Sequence, residues 1–248
     1  LLNLAPNHLD RYATLAEYYG DKALLFRNAD RDSLTISNLD DAAVQGMVAA
    51  VPGRHLRFSV LRESDAWFDR AGQWLMLGDE RLLPRSELML LGDHNVLNAL
   101  TGALVARELG GSLEQIAAGL RSFRAIEHRV EPVRTVDGVL WINDSKSTNV
   151  TSTAVAIAAL ERPFVLLLGG RHKGEPYTRL ADVMAGRCRA VVAYGESGDL
   201  VEHDLSGRVP LVRAGTFEEV LAAARGLARP GDAVLLSPAC SSYDMFDN

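Results

Sequence analysis

The chain has 248 residues, enough for one large domain or two ordinary ones, and its 48% apolar and 23% charged residues are typical of a globular protein. A formal net charge of -6 argues against a general nucleic-acid binder, which needs a basic surface. Two cysteines without CxxC spacing favour a reducing cytoplasm, and no apolar run in the sequence reaches the roughly 20 residues of a membrane span.

The first half of the sequence predicts helices mixed with short strands. The predicted elements are helices at 12–28, 95–109 and 112–123, and short strands with glycine turns at 56–60 and 66–83. Ser112 and Gln115 have the spacing of a capping box at the start of the last helix. We place a domain boundary near residue 125, which predicts domains at 1–125 and 126–248.

The second half alternates between apolar, β-branched runs and helical stretches. The runs lie at 139–142, 164–168, 190–194, 209–213 and 233–236, and the helical stretches at 151–160, 178–186, 197–205 and 217–228. Alternation at this spacing predicts βαβ units on a parallel sheet, and continuously apolar runs indicate strands covered on both faces. The fold class is therefore α/β, with a Rossmann-like domain in the second half.

Polar segments follow the predicted strands at the edge where open α/β sheets bind ligands. They are 143–149 (Asn-Asp-Ser-Lys-Ser-Thr-Asn), 169–174 (Gly-Gly-Arg-His-Lys-Gly) and 237–243 (Ser-Pro-Ala-Cys-Ser-Ser-Tyr). Lys146 and Lys173 supply cations for phosphate or carboxylate groups. The alternative for 143–149 is a solvated loop in which Thr148 or Asn149 caps the next helix. The alternative for 169–174 is a basic surface loop, and that for 237–243 is a loop that needs small residues for packing. Cys240 is predicted to be a buried small residue rather than a nucleophile.

Three further signals lie outside these segments. His8 suits either a metal or an ordinary turn. Asn95 and Asn98 share a helix face, and their amides suit either a nucleobase edge or N-capping. Arg129 follows the predicted boundary and suits either a phosphate or a surface pair.

Six blocks, in this order, resemble the Mur ligases of peptidoglycan synthesis, and among them the branch that adds D-glutamate. The blocks are 7–12 (Asn-His-Leu-Asp-Arg-Tyr), 92–99 (Gly-Asp-His-Asn-Val-Leu-Asn-Ala), 127–129 (Glu-His-Arg), 141–149 (Trp-Ile-Asn-Asp-Ser-Lys-Ser-Thr-Asn), 168–170 (Leu-Gly-Gly) with Lys173, and 236–242 (Leu-Ser-Pro-Ala-Cys-Ser-Ser). The resemblance covers essentially the whole chain. Its most specific parts are the Asp-Ser-Lys-x-Thr-Asn and Ser-Pro-Ala-Cys-x-Ser patterns.

The resemblance implies the C-terminal part of a P-loop central domain followed by a Rossmann-like domain. It implies a cytoplasmic, monomeric enzyme that uses ATP and Mg²⁺ to join D-glutamate to UDP-N-acetylmuramoyl-L-alanine through an acyl phosphate. The family's first domain and its P-loop are missing from this sequence, which begins without Met, so we expect natural ends outside it and no catalysis by the chain alone. The alternatives are another Mur-type amino-acid ligase and a non-catalytic binding fragment.

The resemblance also implies a role for each matching residue. The nucleotide and metal set comprises His8 and Lys22 (as a carbamate) for magnesium, Asn98 for adenine with Asn95 nearby, Asp144 for ribose, Arg129 for the nucleotide phosphates, and Lys146 close to the transferring phosphate. A carbamate turns a lysine into a carboxylate-like group, which suits a metal that prefers oxygen ligands. The D-glutamate set comprises Thr148, Lys173 and Ser242, with Tyr243 beside them.

Overall fold

A computed structural model describes residues 1–4 and 12–245 and divides the chain into two compact units, Leu1–Arg124 and Ala125–Asn248. Each unit contains one sheet with helices packed on it. The functional assignment of domains 1–125 and 126–248 stays a prediction.

The sheet of the first unit has the order β1-β2-β3-β4-β5. Its strands are β1 (Leu34–Asn38), β2 (Arg54–Ser59), β3 (Ala66–Asp69), β4 (Trp74–Leu77) and β5 (Glu80–Pro84). β1, β2 and β3 run parallel to one another, and β4 pairs antiparallel with both β3 and β5. Fully buried side chains of Phe58, Leu75, Leu83 and Leu100 form its core.

The helices of the first unit are α1 (Leu15–Ala23), α2 (Ala42–Val48), α3 (Asp93–Glu108) and α4 (Leu113–Ser122). α3 packs against β2, β3 and β4. The predicted capping box is confirmed, because Gln115 N donates to Ser112 Oγ at 3.2 Å and Ser112 N donates to Gln115 Oε1 at 3.0 Å. The predicted helix over 12–28 is shorter than expected: it begins after the Thr14 cap and ends in a 3₁₀ turn over Leu24–Phe26.

The sheet of the second unit has the order β10-β9-β8-β11-β7-β6. Its strands are β6 (Glu131–Val136), β7 (Val139–Asn143), β8 (Phe164–Gly169), β9 (Cys188–Tyr194), β10 (Leu211–Ala214) and β11 (Ala233–Leu236). Every pair is parallel except β6 with β7, so the predicted parallel sheet is confirmed. The antiparallel edge strand β6 was missed, although the Asp137-Gly138 turn before β7, with φ of 52° and 77°, is a typical hairpin signal.

Helices cover both faces of this second sheet. They are α5 (Val150–Ala158), α6 (Ala181–Met184), α7 (Gly198–Leu205) and α8 (Phe217–Leu227). β8 is buried at all six positions and is contacted by both α7 and α8. This explains why its sequence is continuously apolar rather than alternating.

In the part of the chain that the structure describes, none of the helices combines the length and the apolar character that crossing a membrane requires.

Candidate functional site

Strand order brings the three polar segments of the second unit to one edge. β11 lies between β8 and β7 and is parallel to both. The carboxyl ends of these strands therefore open side by side onto the loops that begin at Asp144, Gly170 and Ser237. β11 is inserted here out of chain order, and open α/β sheets bind ligands at the carboxyl ends of their strands.

Asp144 is the buried anchor of this edge, with 3% of its surface exposed. Its Oδ1 accepts a hydrogen bond from Val130 N at 3.1 Å, and its Oδ2 accepts one from Ser237 Oγ at 2.7 Å. A charged acceptor makes such bonds stronger than neutral ones. The carboxylate therefore joins the start of β6 to the loop after β11.

Main-chain bonds tie the same segments together around Lys146. Lys146 N donates to His128 O at 3.1 Å, and Ala239 N donates to Ser147 O at 2.9 Å. The Lys146 side chain is exposed while Ser147 beside it is buried. The backbone is thus held and the cation projects outward.

Arg129 lies between two residues with left-handed backbone. His128 has φ of 68° and Val130 has φ of 45°. The left-handed region is unusual for a β-branched residue and costs about 1–3 kcal/mol, which neighbouring contacts have to offset. The bond from Val130 N to Asp144 is one such contact. This hydrogen bond holds the backbone next to Arg129, whose side chain is exposed.

The last residue of β8 and the first residue of the loop after it are both glycines. Gly169 and Gly170 have φ of 155° and 126°. A Cβ atom would lie 2.1 Å from Tyr194 O at the first position and 2.4 Å from Ser241 O at the second. Glycine is therefore required here for conformation and for close approach of the backbone.

The loop that carries Lys173 is paired with the loop after β11. Arg171 N donates to Ser241 O at 2.8 Å, and Ser241 N donates to Arg171 O at 3.2 Å. The Arg171 guanidinium bonds to Glu196 at 3.1 Å and 3.2 Å, which lowers the pKa of that carboxyl. Lys173 itself is exposed.

The residues predicted to hold D-glutamate differ in exposure. Thr148 is half-buried, Lys173 and Ser242 are exposed, and Tyr243 is 65% exposed. Asn149, not Thr148, caps α5, because its Oδ1 accepts from Ser152 N at 2.7 Å. The Thr148 side chain is therefore not needed as the helix cap.

Cys240 is confirmed as a buried residue, with 1% of its surface exposed. Burial raises the pKa of its thiol, so the reactive thiolate is disfavoured. Its contacts with Tyr177 and Ser197 were not predicted from the sequence. The sequence signal for Tyr177 is faint: one aromatic residue in a polar stretch after Lys173.

The candidate residues of the first unit lie on two helices. Asn95 and Asn98 share one face of α3, as predicted, since Asn98 Nδ2 donates to Asn95 Oδ1 at 3.3 Å. Lys22 is exposed in the last turn of α1, with Nζ 5.3 Å from the Tyr18 ring centroid. His8 lies outside the described residues. Within residues 1–4 and 12–245, His, Cys, Asp and Glu side chains form no group of three or more able to hold a metal ion.

Comparison with known proteins connects this arrangement to one family. The model of the Mur ligase middle domain matches residues 1–106, and that of the Mur ligase glutamate ligase domain matches residues 128–240. A UDP-N-acetylmuramoylalanine--D-glutamate ligase of Salinibacter ruber is 41% identical over 259 residues, covering 100% of this chain and 56% of that protein. A ligase of the same name from Acidobacterium capsulatum is 40% identical over 256 residues, covering 100% of this chain and 55% of that protein. The chain thus spans about half the length of these curated relatives.

Solved structures agree at the level of the fold. MurF of Acinetobacter baumannii superposes with a TM-score of 0.69 at 21% identity, covering 94% of this chain and 54% of that one. The UDP-N-acetylmuramate-alanine ligase of Thermotoga maritima gives 0.68 at 17% identity, covering 95% and 54%. Together with the two domain matches, they confirm the predicted fold class, a central-domain part followed by a Rossmann-like domain.

Proposed function

This chain belongs to the Mur ligase family, and on that premise we propose that it supplies part of an ATP-dependent ligase that joins D-glutamate to UDP-N-acetylmuramoyl-L-alanine. The observation that carries the proposal is the convergence of three polar loops at one edge of the second sheet. Two of these loops expose a lysine, Lys146 and Lys173, and the third exposes Ser242. The names of relatives that span the whole chain support D-glutamate as the amino acid.

The nucleotide phosphates are proposed to bind Arg129 and Lys146. Both side chains are exposed, and their segments are joined by the bond from Lys146 N to His128 O, so two cations are available to one polyphosphate. Asp144 is proposed to accept a ribose hydroxyl. A carboxylate oxygen can accept more than one hydrogen bond, so binding of a ribose hydroxyl is compatible with the bonds that Asp144 accepts from Val130 N and Ser237 Oγ. Asn95 and Asn98 are proposed to contact adenine through the face they share.

Magnesium is proposed to bind His8 and Lys22, the latter as a carbamate. The exposed amine of Lys22 fits this role, because carbon dioxide can reach it from solvent. Bound Mg²⁺ and ATP would supply charge neutralisation and the phosphoryl group that activates the substrate carboxylate. Lys146 is proposed to neutralise the charge that develops on the transferring phosphate.

D-Glutamate is a dianion at its two carboxylates, and the proposed set for it contains one cation and several hydroxyl groups. Lys173 would pair with one carboxylate, and Thr148 and Ser242 would donate hydrogen bonds, with Tyr243 alongside. Holding the amine toward the activated carboxyl would make amide formation effectively intramolecular. We also propose that the enzyme acts in the cytoplasm as a monomer.

The substrate assignment is tested by measuring ADP release from the intact gene product with UDP-N-acetylmuramoyl-L-alanine and one amino acid at a time. We expect release with D-glutamate. Release with L-alanine or diaminopimelate instead would assign another Mur-type ligase. Nucleotide binding without release for any amino acid would favour the alternative of a non-catalytic binding module.

Lys22→Ala in the intact gene product is expected to lower kcat by about 100-fold or more, because a metal-bound oxygen ligand would be lost. Added short carboxylates such as acetate or formate should restore part of the rate by replacing the carbamate oxygens. The matched control is Arg27→Ala, which removes another exposed cation from the same region and should keep full activity without carboxylates. Full activity in Lys22→Ala would refute the carbamate role.

A further inference from the structure

Tyr177 begins the 3₁₀ helix Tyr177–Leu180, which follows the loop that carries Lys173, and its side chain is fully buried, with 0% of its surface exposed. Its hydroxyl lies 3.0 Å from Nδ1 of His172 and 2.9 Å from Sγ of Cys240. His172 belongs to the loop after β8, whereas Cys240 belongs to the loop after β11. One hydroxyl therefore contacts side chains of two different loops.

These side chains have the donors and acceptors needed for a continuous series of hydrogen bonds. A tyrosine hydroxyl donates one bond and accepts others, so it can serve both neighbours at once. Burial raises the pKa of Tyr177, which keeps its proton in place. Ser197 Oγ lies 3.5 Å from Cys240 Sγ and extends this series of hydrogen bonds to the start of α7. Tyr177 N also donates to Asp204 Oδ2 at 2.9 Å, which ties its backbone to the same helix.

These side-chain hydrogen bonds add a second link beside the main-chain pairing of Arg171 with Ser241. The segments after β8 and β11 are also joined by the bond from Gly169 N to Pro238 O at 3.2 Å. The Tyr177 hydroxyl adds side-chain contacts next to these main-chain bonds, at His172 and Cys240. Lys173 directly follows one linked residue, and Ser242 lies two residues after the other.

We propose that Tyr177 is a positioning residue, whose hydroxyl sets the separation between Lys173 and Ser242 through His172 and Cys240. The proposal rests on the proposed function, in which those two side chains hold D-glutamate. Tyr177 does not itself contact substrate. Its contribution is to keep the two loops at the spacing that the two carboxylates require, so that binding does not have to order them.

The test is Tyr177→Phe in the intact gene product, which removes the hydroxyl and keeps the ring. We expect KM for D-glutamate to rise about 10-fold, with kcat and the KM values for ATP and the UDP-sugar changed less than about 3-fold, because only the amino-acid pocket is loosened. The control is Tyr194→Phe, a similarly buried tyrosine whose ring packs against Phe217. It should leave all four constants unchanged.

His172 gives a matched pair of variants. His172→Asn keeps a polar atom near the position of Nδ1 and should retain the wild-type KM for D-glutamate, whereas His172→Leu should raise it. In the Tyr177→Phe background, His172→Leu should add little, because both changes break the same link.

The outcomes separate this inference from the function on which it rests. If the wild type turns over D-glutamate but Tyr177→Phe leaves its KM unchanged, or raises all three KM values equally, the positioning role is wrong and the function stands. If the wild type does not use D-glutamate at all, the proposed function falls and the inference falls with it.

Discussion

Asp144→Ala is expected to destabilise the second unit by about 3 kcal/mol, because it leaves two buried hydrogen-bond donors without their charged acceptor. The donors are Val130 N and Ser237 Oγ, at 3.1 Å and 2.7 Å from the carboxylate, and Ser237 Oγ would keep only its contact with Thr153 Oγ1 at 3.0 Å. The loss should lower the thermal midpoint of this unit by roughly 10 °C. Hydrogen exchange should also quicken in peptides that contain Val130 and Ser237.

Two controls separate this effect from a general loss of charge. Asp144→Asn keeps the shape and one acceptor oxygen but places an amide nitrogen against a donor, so we expect an intermediate loss of about 1–2 kcal/mol. Asp199→Ala removes a carboxylate whose side chain is 96% exposed and paired with Arg213, and should change stability by less than about 0.5 kcal/mol. Equal losses for Asp144→Ala and Asp199→Ala would mean that the buried network does not anchor this edge.

Gly170→Ala is expected to disrupt the loop that carries Lys173, with a loss of about 3 kcal/mol or more. The new Cβ would lie 2.4 Å from Ser241 O and 2.9 Å from Cys240 Cβ, and the φ of 126° is unfavourable for alanine. The pairing of Arg171 with Ser241 would have to open to relieve the contact. We expect a lower thermal midpoint and a D-glutamate KM too high to saturate.

Gly174→Ala is the matched control for that clash. Gly174 also has a positive φ, of 92°, but a Cβ there would meet nothing within 4 Å. It should therefore incur only the conformational cost, about 1 kcal/mol, and keep measurable D-glutamate binding. If both variants behaved alike, backbone conformation rather than close approach would explain the requirement for glycine at 170.

Elements whose signals are local could be predicted from the amino-acid sequence alone. The strands β7, β8 and β11 were predicted because each is a continuous apolar run; β8 is buried at every position, and β7 and β11 have no exposed residue. The capping box of α4 was also predicted, because its two partners are three residues apart in the sequence. Weak local patterns failed: β6 is exposed at four of its six positions, so it has little apolar signal of its own.

The meeting of the three polar segments depends on strand pairing in the folded protein. β11 is the last strand among the described residues but lies between β7 and β8, so Ser237 reaches Asp144 across 93 residues of sequence. The same insertion places Cys240 against Tyr177, 63 residues away. Spacing along the chain does not encode such contacts, because they depend on which strands pair. Asp144, predicted to touch a ligand, therefore proves also to be the buried acceptor that holds the edge of the sheet together.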